Sequence, residues 1–244
     1  MIFNKIIEGR LELKKRKILF FIYRLGGGGA ARTMLNIINY LDRSKFEPIL
    51  VTLNFTYNYE KDLKDDVTFI KLNTTRLRYA IFPLIRLIRR ERPDLIFSTV
   101  ATYNVLAIMS NLFSFTKTKI IVREAACLGG SRKENLMLRL YGLFYRFANR
   151  VIALSEGVKE NIVDRYRVRR DKINVIYNPV DLNHIRQKMK QEDDIPNTIQ
   201  SLYNNGKKTI ISAGRFVKEK DQKSLIRAFA KIQSETNSEL IILG

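Results

Sequence analysis

Short, almost wholly apolar runs alternate along this chain with longer stretches whose apolar residues recur at helical spacing. Residues 17–23 (KILFFIY) form the first such run, the pattern expected of a parallel strand buried on both faces. The stretch that follows, 30–41, places Met34, Leu35, Ile37, Ile38 and Leu41 on one helical face. Further strands are predicted over 48–53 (PILVTL), 67–72, 94–99 (DLIFST), 119–122 (KIIV), 150–154 (RVIAL) and 172–177 (KINVIY). Helices are predicted between them over 78–90, 104–113, 132–148 and 156–166, the last opened by Ser155 as N-cap. Strand and helix in regular alternation predict a doubly wound α/β domain with right-handed crossovers.

That rhythm stops in the stretch 187–208, which is polar and carries Glu192, Asp193, Asp194, Pro196 and Gly206, with only a short turn near Ile199 and Leu202. Such composition marks a boundary segment. A new unit then opens: a strand over 209–213, a turn at Gly214-Arg215, a helix over 222–233 and a strand over 239–243. One βαβ unit leaves a two-stranded sheet with too little cover to stand alone, so it reads as the start of a larger domain. The expected organisation is a first domain at 15–190, a linker at 191–207 and the beginning of a second domain at 208–244, which stops incomplete.

Composition narrows the chemistry. Of 244 residues, 45% are hydrophobic and 28% charged, a globular balance. Forty-four Lys and Arg against 24 acidic residues give a net charge of +20, which implies polyanionic company: nucleic acid, an anionic membrane face or phosphorylated substrates. Cys127 is the sole cysteine and His184 the sole histidine, which excludes an intrachain disulfide and a zinc site of ordinary ligand spacing. No apolar run approaches the roughly 20 residues of a membrane span, and residues 1–17 lack a signal-peptide core. The expected place is the cytoplasm, soluble or peripheral to a membrane.

Two loops carry candidate chemistry. Gly26, Gly27, Gly28 and Gly29 lie between the first strand and the first helix, where free backbone N–H groups and the helix dipole favour a phosphate. Gly26, Gly28 and Ala31 fit the dinucleotide pattern G-x-G-x-x-A, but the second strand runs into Asn54 rather than an acid that would hold a ribose. A nicotinamide-dependent oxidoreductase is therefore the weaker alternative, and the absence of a following Lys-Ser or Lys-Thr excludes a P-loop. A plain tight turn would use the same glycines. The second loop, 214–221, sets Arg215 and Lys220 just ahead of a helix, a guanidinium fork and a compact ammonium suited to a diphosphate. In a chain this basic, a solvated turn competes with that reading.

The succession GGGGAARTMLNIINYL, VIALSEGVKENI, INVIYNPVDLNHI and SAGRFVKEKDQKSLIRAF resembles the retaining, GT-B-fold glycosyltransferases of family four. The resemblance runs from about Lys17 to Gly244, with the four motifs in order. It implies a GT-B-like α/β fold in which a nucleotide sugar binds between two Rossmann-like domains and the acceptor is held mainly by the first. By position, it assigns Arg215 and Lys220 to the donor diphosphate, with Gly27, Gly28 and Gly29 facing it. It places Asn178 and Asp181 beside the cleft, Asn178 serving also as a turn former. Glu124, in the segment Arg123-Glu124-Ala125-Ala126, becomes the catalytic candidate, to bind an acceptor hydroxyl or polarise the sugar, with an ion pair to Arg123 as the structural alternative.

Two features depart from the family pattern. Ala31 stands where many relatives carry Glu. The paired glutamates that contact the donor sugar and ribose are expected beyond Gly244, so the chain alone is expected to have little or no activity. The function implied is hexosyl transfer from a nucleotide sugar to a saccharide or lipid-linked acceptor, with no metal or resident cofactor. The alternative from another class is a non-catalytic acceptor- or membrane-binding protein. Arg76, Arg78, Arg86, Arg89, Arg90 and Arg92 gather near one helix, and Arg132, Lys133, Arg139 and Arg146 along another. With no nucleic-acid module in sight, the charge suggests an anionic inner membrane surface as partner.

Overall fold

The computed structural model describes residues 14–26, 28–56, 58–190 and 206–244. Gly27, the turn near Ile199 and Leu202, and all but the last two positions of the 191–207 linker lie outside these residues. The chain divides into two compact units, Met1–Asp181 and Leu182–Gly244.

The first unit is built on seven strands: β1 (Arg16–Phe21), β2 (Phe46–Leu53), β3 (Thr68–Leu72), β4 (Leu95–Thr99), β5 (Lys119–Glu124), β6 (Arg150–Ala153) and β7 (Ile173–Val175). They form one sheet in the order β3-β2-β1-β4-β5-β6-β7, every pair parallel. Leu19 and Phe21 of β1 belong to one hydrophobic core, Ile18 and Phe20 to the other, so successive side chains supply opposite faces. This double burial is why the strands read as unbroken apolar runs. Pro48 sits in β2 ahead of the point where β3 joins, since β2–β3 pairing starts at Ile49 and Thr68; its missing N–H therefore costs no ladder bond to β3.

Helices α1 (Gly29–Asn39), α2 (Ile81–Glu91), α3 (Ala101–Ser114), α4 (Arg132–Tyr145) and α5 (Glu156–Asn161) connect the strands. Residues of α1 close the core around Ile18, Phe20 and Leu50, whereas α2, α3 and α4 contribute to the core around Leu19, Phe21 and Val122. The helix predicted over 78–90 begins as a 3₁₀ turn, Leu77–Ala80, and becomes α-helical at Ile81; Pro83, in the first turn of α2, is tolerated there because its missing N–H would have no intrahelical partner. The helix predicted over 156–166 changes at Ile162 into a π turn, Ile162–Tyr166. A Cβ on Gly142 of α4 would stand 1.7 Å from the Tyr166 carbonyl oxygen, so glycine lets helix and turn meet backbone to side. Tyr166 then packs its ring 5.3 Å from that of Tyr145.

The second unit holds α6 (Leu182–Lys190), β8 (Lys208–Ala213), α7 (Gln222–Ile232) and β9 (Ser238–Leu243). β8 and β9 pair in parallel around α7, as the sequence pattern predicts. Helix α6 has no counterpart among the predicted elements, and it groups with the second unit rather than the first.

Candidate functional site

The order of the first sheet reverses direction between β1 and β4, which are neighbours. At such a switch point the loops at the carboxyl ends of the strands part and leave a crevice for a ligand. From β1 the chain enters that edge through the glycine loop. Gly28 is the N-cap of α1, with extended backbone and no side-chain cap, and its carbonyl accepts from the Arg32 N–H at 3.1 Å. A Cβ added to Gly28 or Gly29 would meet nothing within 4 Å. Neither packing nor backbone angle therefore requires glycine at these positions, and the backbone there is open to close approach. No acidic residue occupies the first turn of α1 to offset its positive end.

On the other side of the switch point, β4 is followed by Val100, the N-cap of α3, whose φ of 79° is unusual for a β-branched residue. Hydrogen bonds hold it on both sides: its N–H donates to Arg123 O, and its carbonyl accepts from the N–H groups of Tyr103 and Asn104. Tyr103 stacks on Tyr23 with centroids 5.5 Å apart, and Tyr23 also meets Phe55 at 4.9 Å. The ends of β1, β2 and β4 thus share an aromatic cluster, tied to the loop after β3 by the Tyr23 hydroxyl donating to Thr75 O at 3.0 Å.

The last two residues of β5 point to opposite faces, as the pleat requires. Glu124 turns towards α3 and α4 and is 2% exposed. Its Oε1 accepts from the Tyr145 hydroxyl and from Asn104 Nδ2 at 3.1 Å. Asn104 Nδ2 also lies 2.9 Å from Arg123 O and 3.0 Å from the Tyr145 hydroxyl. Burial raises the Glu124 carboxyl to about 7, outweighing the opposite pull of Tyr145, Asn104 and Arg123. The same burial, together with the facing carboxylate, raises Tyr145 and keeps its hydroxyl a donor. Arg123 turns the other way. Its guanidinium donates to Thr99 Oγ1 at 3.0 Å and to Asn178 Oδ1, fastening the end of β4 and the Asn-Pro turn after β7 to β5. Burial lowers the pKa of this guanidinium.

The predicted site residues that are described in the first unit thus fall into four places. Gly28 and Gly29 border the switch point, Asn178 is joined through Arg123 to Glu124's strand, and the Glu124 carboxyl is enclosed by α3 and α4. Asp181 instead hydrogen-bonds Tyr40, the C-cap of α1, and raises that hydroxyl's pKa. Sequence reasoning passed over Arg123 as a clamp, and over Asn104 and Tyr145 altogether. A polar Asn104 directly ahead of the apolar run 105–109 (VLAIM) was the available signal.

In the second unit β8 is followed by Gly214, whose N–H donates to Leu243 O and whose φ of 156° lies in a region side chains rarely adopt. A Cβ there would come within 3.4 Å of Lys220 Cε, so the Lys220 stem lies across the glycine. Arg215 follows directly, and its carbonyl accepts from Gln222 Nε2 at 2.9 Å. Asp221 caps α7 through Ser224 N–H. Arg215 and Lys220 are both exposed on this one turn. Among the described residues, no group of three or more His, Cys, Asp or Glu could hold a metal ion, and no helix is long and apolar enough to cross a membrane.

Residues 27–184 match the profile of Glycosyltransferase Family 4. The chain belongs to that family. A curated relative, the N-acetylgalactosamine-N,N'-diacetylbacillosaminyl-diphospho-undecaprenol 4-alpha-N-acetylgalactosaminyltransferase of Campylobacter jejuni, is 28% identical over 94% of this chain. The chain spans 62% of that relative's length. Among solved structures, Anabaena Alr3699/HepE in complex with UDP and glucose superposes with a TM-score of 0.59 at 16% identity, covering 94% of this chain and 70% of that one. UDP-N-acetylglucosamine 2-epimerase from Rickettsia bellii also superposes at 0.59, with 17% identity, covering 93% of this chain and 62% of that one. The two solved structures share the fold, which hosts more than one chemistry; the family match is what separates a glycosyltransferase from an epimerase.

Proposed function

We propose that this Family 4 chain serves hexosyl transfer from a nucleotide diphosphate sugar to a saccharide or lipid-linked acceptor, with retention at the anomeric carbon. The observation that carries this reading is the turn 214–221, where Lys220 lies across Gly214 and Arg215 leaves the end of β8 beside it. Both cations sit just ahead of the N-terminus of α7, and a leaving diphosphate placed there gains stabilisation as its negative charge develops. This positive field removes the need for a metal. Gly28 and Gly29 of the first unit are a further phosphate candidate, since they open α1 with no side-chain cap and no acidic residue in its first turn. The lipid-linked acceptor is supported by the Campylobacter jejuni relative, whose name specifies a diphospho-undecaprenol substrate.

Glu124 is assigned a positioning role, since its carboxyl bonds Tyr145 and Asn104 inside the fold. Through Asn104 it fixes the start of α3, and through the backbone of β5 it fixes Arg123 and the Asn178 turn. Titration calorimetry with UDP tests the proposal. The wild-type chain should bind UDP, and Arg215→Ala and Lys220→Ala should each weaken binding about tenfold or more, the loss of a charge-assisted hydrogen bond. Equal affinity in all three proteins would end the diphosphate assignment. A lipid-linked acceptor is tested separately, by transfer to undecaprenyl-diphosphate saccharides against transfer to free saccharides.

A further inference from the structure

The amino edge of the first sheet, where its parallel strands begin, carries a concavity of its own. Crossover helices run back to this edge, so the ends of α2 and α3 meet the starts of β1, β4 and β5 around a pocket of about 980 Å³. Pockets of roughly 300–1,000 Å³ are the ordinary size for small-molecule ligands. The switch-point crevice lies at the other end of the same strands. The five residues of β4, Leu95–Thr99, set the two apart by roughly 17 Å at about 3.3 Å per residue.

The charge of this pocket is one-sided. Arg16, Arg92, Lys117 and Lys119 line it against a single acid, Asp94. The Asp94 carboxylate is already committed to the backbone of β1, accepting from Lys17 N–H at 2.8 Å. Among the described residues, none of the four cations forms an ion pair. Cations also gather at helix ends simply to offset the negative pole of the dipole, and Arg89 does this here. Its guanidinium donates to Ser114 O at 3.1 Å and to Phe113 O at 2.9 Å, closing the end of α3. The other four make no such bond.

The walls are held in place before any ligand arrives. Thr116 Oγ1 lies 2.8 Å from Ser114 Oγ and donates to Thr118 Oγ1 at 2.9 Å, which donates to Pro93 O at 2.8 Å. This chain of hydroxyls fastens the loop bearing Phe115, Lys117 and Lys119 to the turn bearing Arg92. Arg92 itself holds left-handed backbone, with φ of 44°, at the C-cap of α2, a conformation costly for a side chain of its kind. Ile18, Phe46 and Phe115 give the pocket an apolar side, and Phe115 is 84% exposed. Inorganic phosphate would satisfy the cations and leave that side uncovered. A ligand with phosphates at one end and a ring at the other covers both.

We propose that this pocket binds a phosphorylated small molecule with a ring-bearing body, of the class of a nucleoside di- or triphosphate. Its phosphates meet Arg16, Arg92, Lys117 and Lys119, and its ring meets Phe46 and Phe115. The site goes beyond the transferase reading: all its residues belong to the first unit, and none comes from the loop 214–221 or the glycine loop.

Titration calorimetry with ATP tests it, on a chain carrying Arg215→Ala and Lys220→Ala so that the loop 214–221 contributes nothing. One ATP should bind per chain. Adding Lys117→Gln with Lys119→Gln should weaken binding about tenfold or more. Adding Arg132→Gln with Lys133→Gln instead removes the same charge elsewhere on the surface and should leave ATP affinity unchanged. Phe115→Ala should weaken ATP and leave tripolyphosphate as it was. The substituted side chains are exposed, and an unchanged urea midpoint checks that each variant folds. The proposal is overturned if ATP binding does not saturate, if the two lysine-bearing pairs lose affinity equally, or if Phe115→Ala fails to separate ATP from tripolyphosphate. Retained ATP binding in a protein whose wild type does not bind UDP would remove the transferase reading and keep this one.

Discussion

Helices α2 and α4 begin from similar material and end in opposite situations. Each combines an apolar repeat with arginines: Leu84, Ile85, Leu87 and Ile88 beside Arg86, Arg89 and Arg90 in α2, and Leu136, Leu140 and Leu143 beside Arg132 and Arg139 in α4. In α2 the apolar repeat is the core face, with Leu84 and Ile88 fully buried and the arginine side turned out. In α4 the leucine line is turned out, and a smaller set, Leu138, Gly142 and Tyr145, faces the protein. Periodicity announces that a helix has two faces. Which one docks depends on what the neighbouring surface admits. At α4 that surface is the Tyr166 backbone, close enough that only glycine fits at position 142, and a buried carboxyl that requires the Tyr145 hydroxyl.

Gly142→Ala attacks this contrast most directly. The new methyl group would collide with the Tyr166 carbonyl, a backbone atom that cannot step aside as a side chain can. We expect a loss of about 3–5 kcal/mol, read from urea unfolding; a loss below about 1 kcal/mol would show that the close approach is not needed. The next largest effect is Leu84→Ala, expected to cost about 3 kcal/mol through a cavity in the core under α2. Its counterpart, Leu140→Ala on the exposed line of α4, should stay within about 0.5 kcal/mol by the same measurement. Equal costs would erase the distinction between the two helices.

A pH series sharpens the comparison further, because only the inner face of α4 meets an ionisable core group. The Glu124 carboxyl is raised from 4.5 to about 7 in the folded chain. The folded state therefore holds the proton more tightly than the unfolded state, and this contribution to stability is complete below about 4.5 and lost as pH rises through about 7. Glu124→Gln keeps an acceptor for Tyr145 and cannot ionise, so the variant should show a flatter stability profile across that window. Denaturation midpoints that fall equally in both proteins would show that another group is titrating.

Much of the architecture was legible because strands buried on both faces must be apolar along their whole length. Each predicted strand appears, and the two loops singled out for phosphate chemistry sit where strands end and helices start. Boundaries shifted where local rules met tertiary demands. The helix at 156–166 gives way to a π turn that carries Ile162 and Tyr166 into the core. Helix α6 went unrecognised because Ile185 and Met189 are sparse apolar marks among polar neighbours.

The sequence by itself determined the order of the strands, the positions of the two loops singled out for phosphate chemistry and the strongly basic charge. These follow from properties of neighbouring residues: the two-residue pleat, the 3.6-residue helical repeat, and the conformational freedom of glycine. Only the tertiary structure decided that Arg123 would clamp Asn178, 55 positions away, and that Tyr145 would meet Asn104 across 41. It also decided that the leucines of α4 would face outward. Local pattern sets how a segment folds, whereas partnership between distant segments is fixed by packing, where every buried polar group must find a mate and every close contact must find room.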